Sequence, residues 1–250
     1  MSKQQKQRRR KSKQKASTKR SASTQPASQP KFQARLQAAA KPLPQRSLRA
    51  FLGLTLLWLG PVFALWYMLG PILLMPVAWL ANLVLPGLYP HAFEAVELQA
   101  YTFDIVTQFN YSPPGTQLPA GMVAQYVFSL NGLKYGYGLP LLLALILASP
   151  TRIPHKLKHF ALGFVIIVLV QLWGICFESM IGLIFKSDPS IAMQMNSSAL
   201  GRELFALGYQ LGYLILPAVT PLIVWGLSHH AFLQTLLSDS RAVRPSEPTA

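Results

Sequence analysis

The sequence predicts an α-helical integral membrane protein with four transmembrane helices, a small extracytoplasmic β-hairpin and a disordered basic N-terminal tail. Apolar residues make up 51% of the 250 residues and charged residues only 12%, whereas about 25% of a soluble domain is charged. The apolar residues fall in long uncharged runs, and the formal net charge of +15 comes from one end of the chain. Composition and charge pattern together indicate a membrane protein rather than a soluble basic one.

The basic residues are concentrated in residues 1–49, which carry fifteen Lys and Arg and no acid, while residues 50–250 carry eight of each sign. This segment has too little apolar surface to offset the entropy of ordering, so it is predicted to be disordered. Close to a membrane, each of its cations is worth about 1 kcal/mol against anionic lipid headgroups. Ser and Gln separate the charges and no aromatic residue precedes Phe32, which favours lipid attraction over specific nucleic-acid binding.

The apolar runs give the number of crossings. Residues 50–89 form an uncharged run that prolines interrupt, and this run could cross once and continue or cross twice. Three further runs are about long enough for a bilayer core, which needs about 20 residues; they are roughly Gly132–Ser149, Phe160–Phe185 and Leu204–Leu233. The count is therefore four or five.

The positive-inside rule decides between these counts. The loop 151–159 carries three cations and no acid, so it should be cytoplasmic, like the tail. That requires residues 50–89 to cross once, with 72–89 as a periplasmic or interfacial continuation. We therefore predict a multi-pass protein of a bacterial inner membrane with both termini cytoplasmic, three transmembrane helices within 132–235 and a cytoplasmic C-terminal tail at 236–250.

Residues 90–131 differ in character from the apolar runs. Ala95–Val106 is rich in β-branched and aromatic residues with partial alternation, and Met122–Leu130 alternates two faces, as strands do. Asn110–Gly115 carries turn residues. The pattern predicts a β-hairpin outside the cytoplasm, leaning on the helices because an isolated hairpin is marginally stable in water.

A buried carboxylate is expected at Glu178, in the outer half of the third helix, where it should face other helices or a wet cavity. Its expected partners are Arg202 and Lys134, at the outer starts of the fourth and second helices. Gln171 and Gln210 could bond across the third and fourth helices, a contact worth about 0.6 kcal/mol on average. This inter-helix polar cluster is interpreted as a staple between helices, with a substrate or partner site as the alternative.

Small residues indicate where helices approach closely. Gly136 and Gly138 lie in a Tyr-Gly-Tyr-Gly segment before the second helix, and Gly208 and Gly212 form a GxxxG pattern in the fourth. We expect all four glycines to act in packing.

Catalysis is weighed at Cys176, the single cysteine, which would need a base and an oxyanion stabiliser. His91 and Arg202 are the outer-side candidates. A lone cysteine in an apolar helix is far more often a packing residue, so no catalytic site, metal or cofactor is predicted. Interfacial anchoring is favoured over metal binding for four histidines at the inner side, His155, His159, His229 and His230. A small transporter with Glu178 in its path is disfavoured because no internal repeat is visible.

The apolar body resembles a known family in its aromatic, proline and glycine pattern over about residues 50–235. The segments that carry the resemblance are Leu57–Pro61, Leu65–Tyr67, Pro71, Pro76–Leu80, Tyr135–Leu145, Gln171–Phe177 and Ala206–Pro217. In these the chain is similar to the exosortase H-associated membrane proteins. The resemblance implies a companion of a bacterial exosortase, a membrane-embedded cysteine transpeptidase that processes proteins with a C-terminal sorting signal, and implies contact with that enzyme or its sorted substrates.

The resemblance implies no activity for the companion itself. Exosortases present cysteine, arginine and histidine in that chain order, with small residues after the cysteine. Here Phe177 and Glu178 follow Cys176, and no outer-side histidine follows Arg202. This departure argues against an active sortase, and a cysteine transpeptidase using Cys176 stays the alternative to a non-enzymatic accessory protein.

Overall fold

The computed structural model describes residues 47–111, 124–195 and 197–242, with side chains to Leu236. The predicted disordered tail up to residue 46, the predicted turn after Tyr111 and the last residues of the C-terminal tail lie outside this part. The helices are α1 Leu48–Met68, α2 Gly70–Leu88, α3 Gly138–Ala148, α4 Ile153–Ile181, α5 Pro189–Gln194, α6 Ala199–Gln210, α7 Leu216–Ser228 and α8 His230–Ala242. The strands are β1 Phe93–Gln99, β2 Thr102–Asn110 and β3 Gln125–Asn131, and a 3₁₀ turn, Gly132–Tyr135, follows them.

Four helical segments of the described chain are long and apolar enough to cross a membrane, which confirms the predicted number. They are Leu48–Met68, Gly70–Leu88, Ile153–Lys186 and Ala199–Ser228. A π-helical turn, Gly182–Lys186, extends α4, and another, Leu211–Ile215, joins α6 to α7. The segments differ from expectation in one respect: α2 is among the long ones, and α3, in the predicted second crossing, has only 11 residues.

α1 and α2 are joined by a single residue. Only Leu69 separates them, and helical hydrogen bonds continue through it, from the Leu69 N–H to the Leu65 carbonyl and from the Leu73 N–H to the Leu69 carbonyl. Leu69 departs from helical geometry, with φ −86° and ψ 0°, and one such residue can bend the chain but not turn it back on itself. α2 is therefore no return crossing, and the two helices together measure about 60 Å along their axes.

α3 reaches further than its 11 residues suggest because the 3₁₀ turn Gly132–Tyr135 precedes it. A 3₁₀ turn rises about 2.0 Å per residue and an α-helix about 1.5 Å, so residues 132–148 extend about 27 Å. That length is close to a hydrocarbon core of about 30 Å. The segment thus fits the predicted crossing as a composite of two helix types.

The β element is a three-stranded antiparallel sheet in the order β1-β2-β3, one strand more than the predicted hairpin. The segment expected as one strand, Ala95–Val106, reverses at Ala100 and Tyr101. Ala100 has a φ of 53°, a region that β-branched residues avoid and that small residues tolerate better. No glycine or asparagine marks this turn, so the partial alternation over Ala95–Val106 is typical of one strand rather than two.

The core divides into two clusters at opposite ends of the helices. Near the start of α1, Phe51 stacks on Trp225 of α7 with ring centroids 5.2 Å apart, and the Trp225 indole donates to Ser149 Oγ at 2.8 Å. At the other end, Leu74, Val77, Ala81 and Leu85 of α2 pack into the cluster that holds the buried face of the sheet. The helices thus join an end that holds the sheet to an end that holds the first residues of α1.

Charge follows the same division. The first end gathers cationic and imidazole side chains, hereafter the basic end: Arg49, Arg152, His155, Lys156, Lys158, His159, His229 and His230. The acidic side chains that the structure describes belong to the sheet, to the distal part of α4 and to residues 188–203; they are Glu94, Glu97, Asp104, Glu178, Asp188 and Glu203.

Candidate interhelical charge site

Glu178, near the end of α4, is only 3% exposed and is held by two neighbouring residues of the 3₁₀ turn. Its Oε1 pairs with the Lys134 ammonium. Its Oε2 accepts from the Tyr135 hydroxyl at 2.7 Å. The Lys186 ammonium lies 4.0 Å from Oε1, about two helical turns further along the same segment. Both carboxylate oxygens therefore have partners, as a buried charge requires.

Tyrosine rings surround the cations of this site. The Lys134 ammonium lies 5.3 Å from the ring centroid of Tyr213 and 5.9 Å from that of Tyr209, and the Lys186 ammonium lies 5.8 Å from Tyr209. Such distances suit cation–π attraction. Tyr209 and Tyr213 stack on one another across one turn of helix. The six residues, hereafter the Glu178 cluster, are Lys134, Tyr135, Glu178, Lys186, Tyr209 and Tyr213.

Glycines allow the helices to meet around the Glu178 cluster. A Cβ at Gly174 would overlap the ring of Tyr135, and one at Gly208 would overlap the ring of Phe177. Two further glycines allow close but less tight approaches: a Cβ at Gly212 would lie 2.8 Å from the Trp173 ring, and one at Gly138 would lie 2.6 Å from the Pro217 carbonyl. The Trp173 indole also donates to the Gly208 carbonyl at 3.0 Å.

The two glutamines expected to bond across helices have different surroundings. Gln171 is 6% exposed, and its amide nitrogen lies 2.5 Å from the place that a Cβ on Gly136 would take. Gln210 is exposed. The absence of a side chain at Gly136 therefore leaves room for the amide of Gln171. The expected bond between Gln171 and Gln210 is not formed in the described structure.

Arg202 lies outside the Glu178 cluster, so its expected pairing with Glu178 was wrong. It sits in the first turn of α6, where Ser198 caps the helix, and its Nε donates to Ser197 Oγ at 3.2 Å. It is exposed and lines an open cavity with Phe185. The physical reason is that both carboxylate oxygens of Glu178 already have partners, on its own helical segment and on the 3₁₀ turn.

The three residues weighed as a catalytic set are not brought together. Cys176 is half-buried against the core cluster of the sheet end, His91 is exposed just before β1, and Arg202 is bonded to Ser197. Among the described residues, no hydrogen bond or ion pair joins Cys176 to either of the others. The geometry gives the thiol a place in packing.

The basic end brings two of the four predicted histidines together. The rings of His159 and His229 meet edge to face with centroids 4.7 Å apart, while His155 and His230 are exposed. His229 Nδ1 lies 3.2 Å from the Trp225 carbonyl oxygen. Burial lowers the pKa of His229 to about 4, with His159 and Lys156 adding repulsion. In the described part of the chain, no group of three or more His, Cys, Asp or Glu could hold a metal.

Sequence reasoning missed Tyr135, Lys186, Tyr209 and Tyr213 as members of the site. A signal existed for Tyr209 and Tyr213, because their spacing of four residues puts both rings on one helix face. Tyr135 follows Lys134 directly in the 3₁₀ turn. Predicting a helical turn over residues 132–135 would have indicated that the two side chains lie close together. Lys186 had no signal, since the π-helical turn that carries it back toward Glu178 is not readable from residue spacing.

A family model for the exosortase H-associated membrane protein matches residues 45–232, which is three quarters of the chain. No curated protein matches the chain. No solved structure matches it either.

Proposed function

Because the chain belongs to the exosortase H-associated membrane protein family, we propose that it is a non-enzymatic accessory protein of an exosortase-type sorting system. It acts by contact with the sorting enzyme or its sorted substrates. The family match over residues 45–232 carries this proposal. The location proposed with it is a bacterial inner membrane, with both termini and the basic end cytoplasmic and the sheet outside.

The described side chains support a binding role over a reacting one. The Glu178 cluster has its carboxylate satisfied by Lys134 and Tyr135, so the carboxylate is held as a fixed structural charge. Lys186 is different: its side chain is 59% exposed and 4.0 Å from a carboxylate that Lys134 already neutralises. The cluster thus presents one net positive charge at its surface.

That exposed charge gives the contact a location. We place the docking contact at Lys186 and the stacked rings of Tyr209 and Tyr213, a surface that suits an anionic or aromatic group on the partner. Charged groups at the rim of an interface mainly set the rate of encounter and the choice of partner.

The coarse proposal is tested by co-purification with the exosortase in mild detergent and by sorting in a deletion strain. A complex, together with impaired sorting when the chain is missing, is expected. Absence of any complex combined with normal sorting in the deletion strain would remove the proposal.

The docking contact is tested with Lys186→Ala, Lys186→Arg and a matched control at the other end of the same long helix, Lys158→Ala. Lys186→Ala should reduce the recovered complex several-fold, and Lys186→Arg should retain it because the positive charge is kept. Lys158→Ala should behave as the parent. Equal recovery from all three variants would place the contact elsewhere and leave the accessory role intact.

The rival function, a transpeptidase using Cys176, predicts a different result from a single change. Cys176→Ser removes the thiol nucleophile while keeping a small side chain at a half-buried position. We expect sorting to continue at the parent rate in a strain whose only copy carries this variant. Loss of sorting by a variant that still reaches the membrane at parent levels would favour the enzyme.

A further inference from the structure

α2 carries two apolar faces on opposite sides of one helix. Leu74, Val77, Ala81 and Leu85 are at most 1% exposed and pack into the core of the sheet end. The opposite side exposes a stripe at spacings of three and four residues, namely Ile72 at 60%, Met75 at 57%, Trp79 at 69% and Leu83 at 62%. These spacings keep the four side chains within one narrow sector of the helix surface.

The buried face of α2 is firmly attached to the sheet. Asn82 Oδ1 accepts the N–H of Val96 on β1 at 2.9 Å, which satisfies one backbone donor on that edge of the sheet. Leu74 and Phe103 close over Gly132, where a Cβ would contact both. α2 and the sheet therefore move as one layer, and wherever α2 lies the sheet must lie beside it.

The sheet cannot enter the hydrocarbon core. Its face away from α2 holds Glu97 directly opposite Asp104 in the strand register, and Asp104 accepts from Ser129 Oγ at 2.6 Å. Glu94 on the same strand is exposed and bonds Gln125. The described strands carry no Lys or Arg to neutralise these carboxylates. Carboxylates and an open strand edge are both costly in lipid.

The chain enters α2 directly from α1 through Leu69. α1 is about 30 Å long, which is the thickness of the hydrocarbon core. α2 therefore begins at the far surface of that core. Gly70–Leu88 has no charged residue and one exposed amide, Asn82, so its bare stripe is poorly suited to water. Tyr67 stacks on Tyr101 at the junction with centroids 5.2 Å apart, which fixes the sheet against the start of α2.

We infer that α2 lies in the plane of the membrane, with Ile72, Met75, Trp79 and Leu83 inserted at the headgroup and acyl boundary of the lipid surface that α1 has just crossed. The inserted stripe is continuous with the lipid-facing surface of α1. The sheet packs on the opposite face of α2. Its three carboxylates, Glu94, Glu97 and Asp104, face away from the lipid and so stay apart from anionic headgroups. This inference does not depend on the exosortase partnership.

The test uses the full chain with Cys176→Ser, which removes its single cysteine, and new single cysteines carrying a nitroxide. The stripe variants are Ile72→Cys, Met75→Cys, Trp79→Cys and Leu83→Cys; Leu56→Cys on α1 and Gln108→Cys on β2 are the controls. The variants are reconstituted in vesicles of phosphatidylcholine and phosphatidylglycerol. Collision with oxygen, which concentrates in lipid, and with a water-soluble nickel chelate gives the depth of each label.

We expect the four stripe labels to be accessible to oxygen and to share one shallow depth, within about 5 Å of each other, as an interfacial helix requires. Leu56→Cys should lie deep, and Gln108→Cys should report water. A steady change of about 16 Å in depth from position 72 to position 83 would mean that α2 crosses the bilayer. Labels shielded from both relaxants would mean coverage by a second copy, and labels as open to nickel as Gln108→Cys would mean water; each of these results overturns the inference.

A second measurement guards against a labelled variant that misfolds. Trp79 is native, and Trp79→Phe preserves an aromatic side chain on an exposed position. Lipids brominated near the headgroup should quench part of the parent's tryptophan fluorescence, and Trp79→Phe should lose that shallow component. Unchanged quenching in Trp79→Phe would overturn the insertion of the stripe.

Discussion

The two ends of the helices handle buried polar groups in opposite ways. At the sheet end, Glu178 is charged and paired, with Lys134 on one oxygen and Tyr135 on the other. At the basic end, His159 and His229 meet as rings, and three buried atoms lack a hydrogen-bond partner within the described structure: Thr151 Oγ1, His159 Nδ1 and His229 Nε2. One end is held by an ion pair and the other by aromatic packing.

The contrast follows from what each side chain can do when water is removed. A carboxylate cannot be buried without a cation or strong donors, so Glu178 fixes its neighbours tightly. An imidazole can become neutral instead, and burial lowers the pKa of His229 for that reason. The charged end should therefore be sensitive to mutation, and the basic end should be sensitive to pH.

The largest effect is expected from Lys134→Met, which leaves Glu178 with only Tyr135 and the more distant Lys186. It should lower the free energy of unfolding in detergent by about 2–3 kcal/mol, below the full value for a buried pair because Lys134 is partly exposed. The measurement is the denaturant midpoint followed by circular dichroism.

Adding Glu178→Gln to Lys134→Met removes the stranded charge, so the double variant should be more stable than the sum of the two single losses implies. Losses that simply add would show that Lys134 and Glu178 do not interact.

Close packing beside the Glu178 cluster gives the next effect. In Gly174→Ala the new Cβ overlaps the Tyr135 ring, and overpacking of this kind costs about 1–3 kcal/mol. Gly53→Ala in α1 is the control, because nothing lies within 4 Å of its new Cβ. Thermal unfolding in detergent compares the two, and equal midpoints would show that the tyrosine ring yields without cost.

At the basic end, acid should destabilise the fold through His229. Its folded pKa of about 4 lies below the ordinary value of 6.5. Between these two pH values the unfolded chain binds a proton at His229 and the folded chain does not. Its contribution is complete above pH 6.5 and is lost as the pH falls toward 4. Between pH 7 and pH 5 the loss should be about 1–2 kcal/mol.

His229→Phe should flatten this pH dependence of the unfolding midpoint, while His230→Phe, at the exposed neighbouring position, should leave it unchanged. A pH dependence that survives in His229→Phe would assign it to another group.

The smallest effect is expected at the indole of the basic end. Trp225→Phe keeps an aromatic ring against Phe51 but removes the hydrogen bond to Ser149. A loss of about 1 kcal/mol is expected, read from the same denaturant midpoint. Trp79→Phe, on an exposed position, should change the midpoint by less.

Much of this arrangement was predictable because charge and hydropathy act over long segments. The apolar runs left four or five crossings and the positive-inside rule chose four, which is the number of long apolar helices in the described chain. The positions of Glu178 and Lys134 at the ends of their segments predicted their pairing. Arg202 failed because helix assignment alone could not show that Ser197 would engage it. The third strand was hidden since the turn at Ala100 uses no glycine, and local backbone choices of this kind leave no periodic signal.

The most direct test of the central claim, that charge orients the two ends, is labelling in intact cells with a thiol reagent that cannot cross the inner membrane. On a Cys176→Ser background, Gln108→Cys reports the sheet and Lys158→Cys reports the basic end; both positions are exposed. With the outer membrane made permeable, Gln108→Cys should label, and Lys158→Cys should label only after the inner membrane is opened. Labelling of Lys158→Cys in intact cells, with Gln108→Cys protected, would contradict the account.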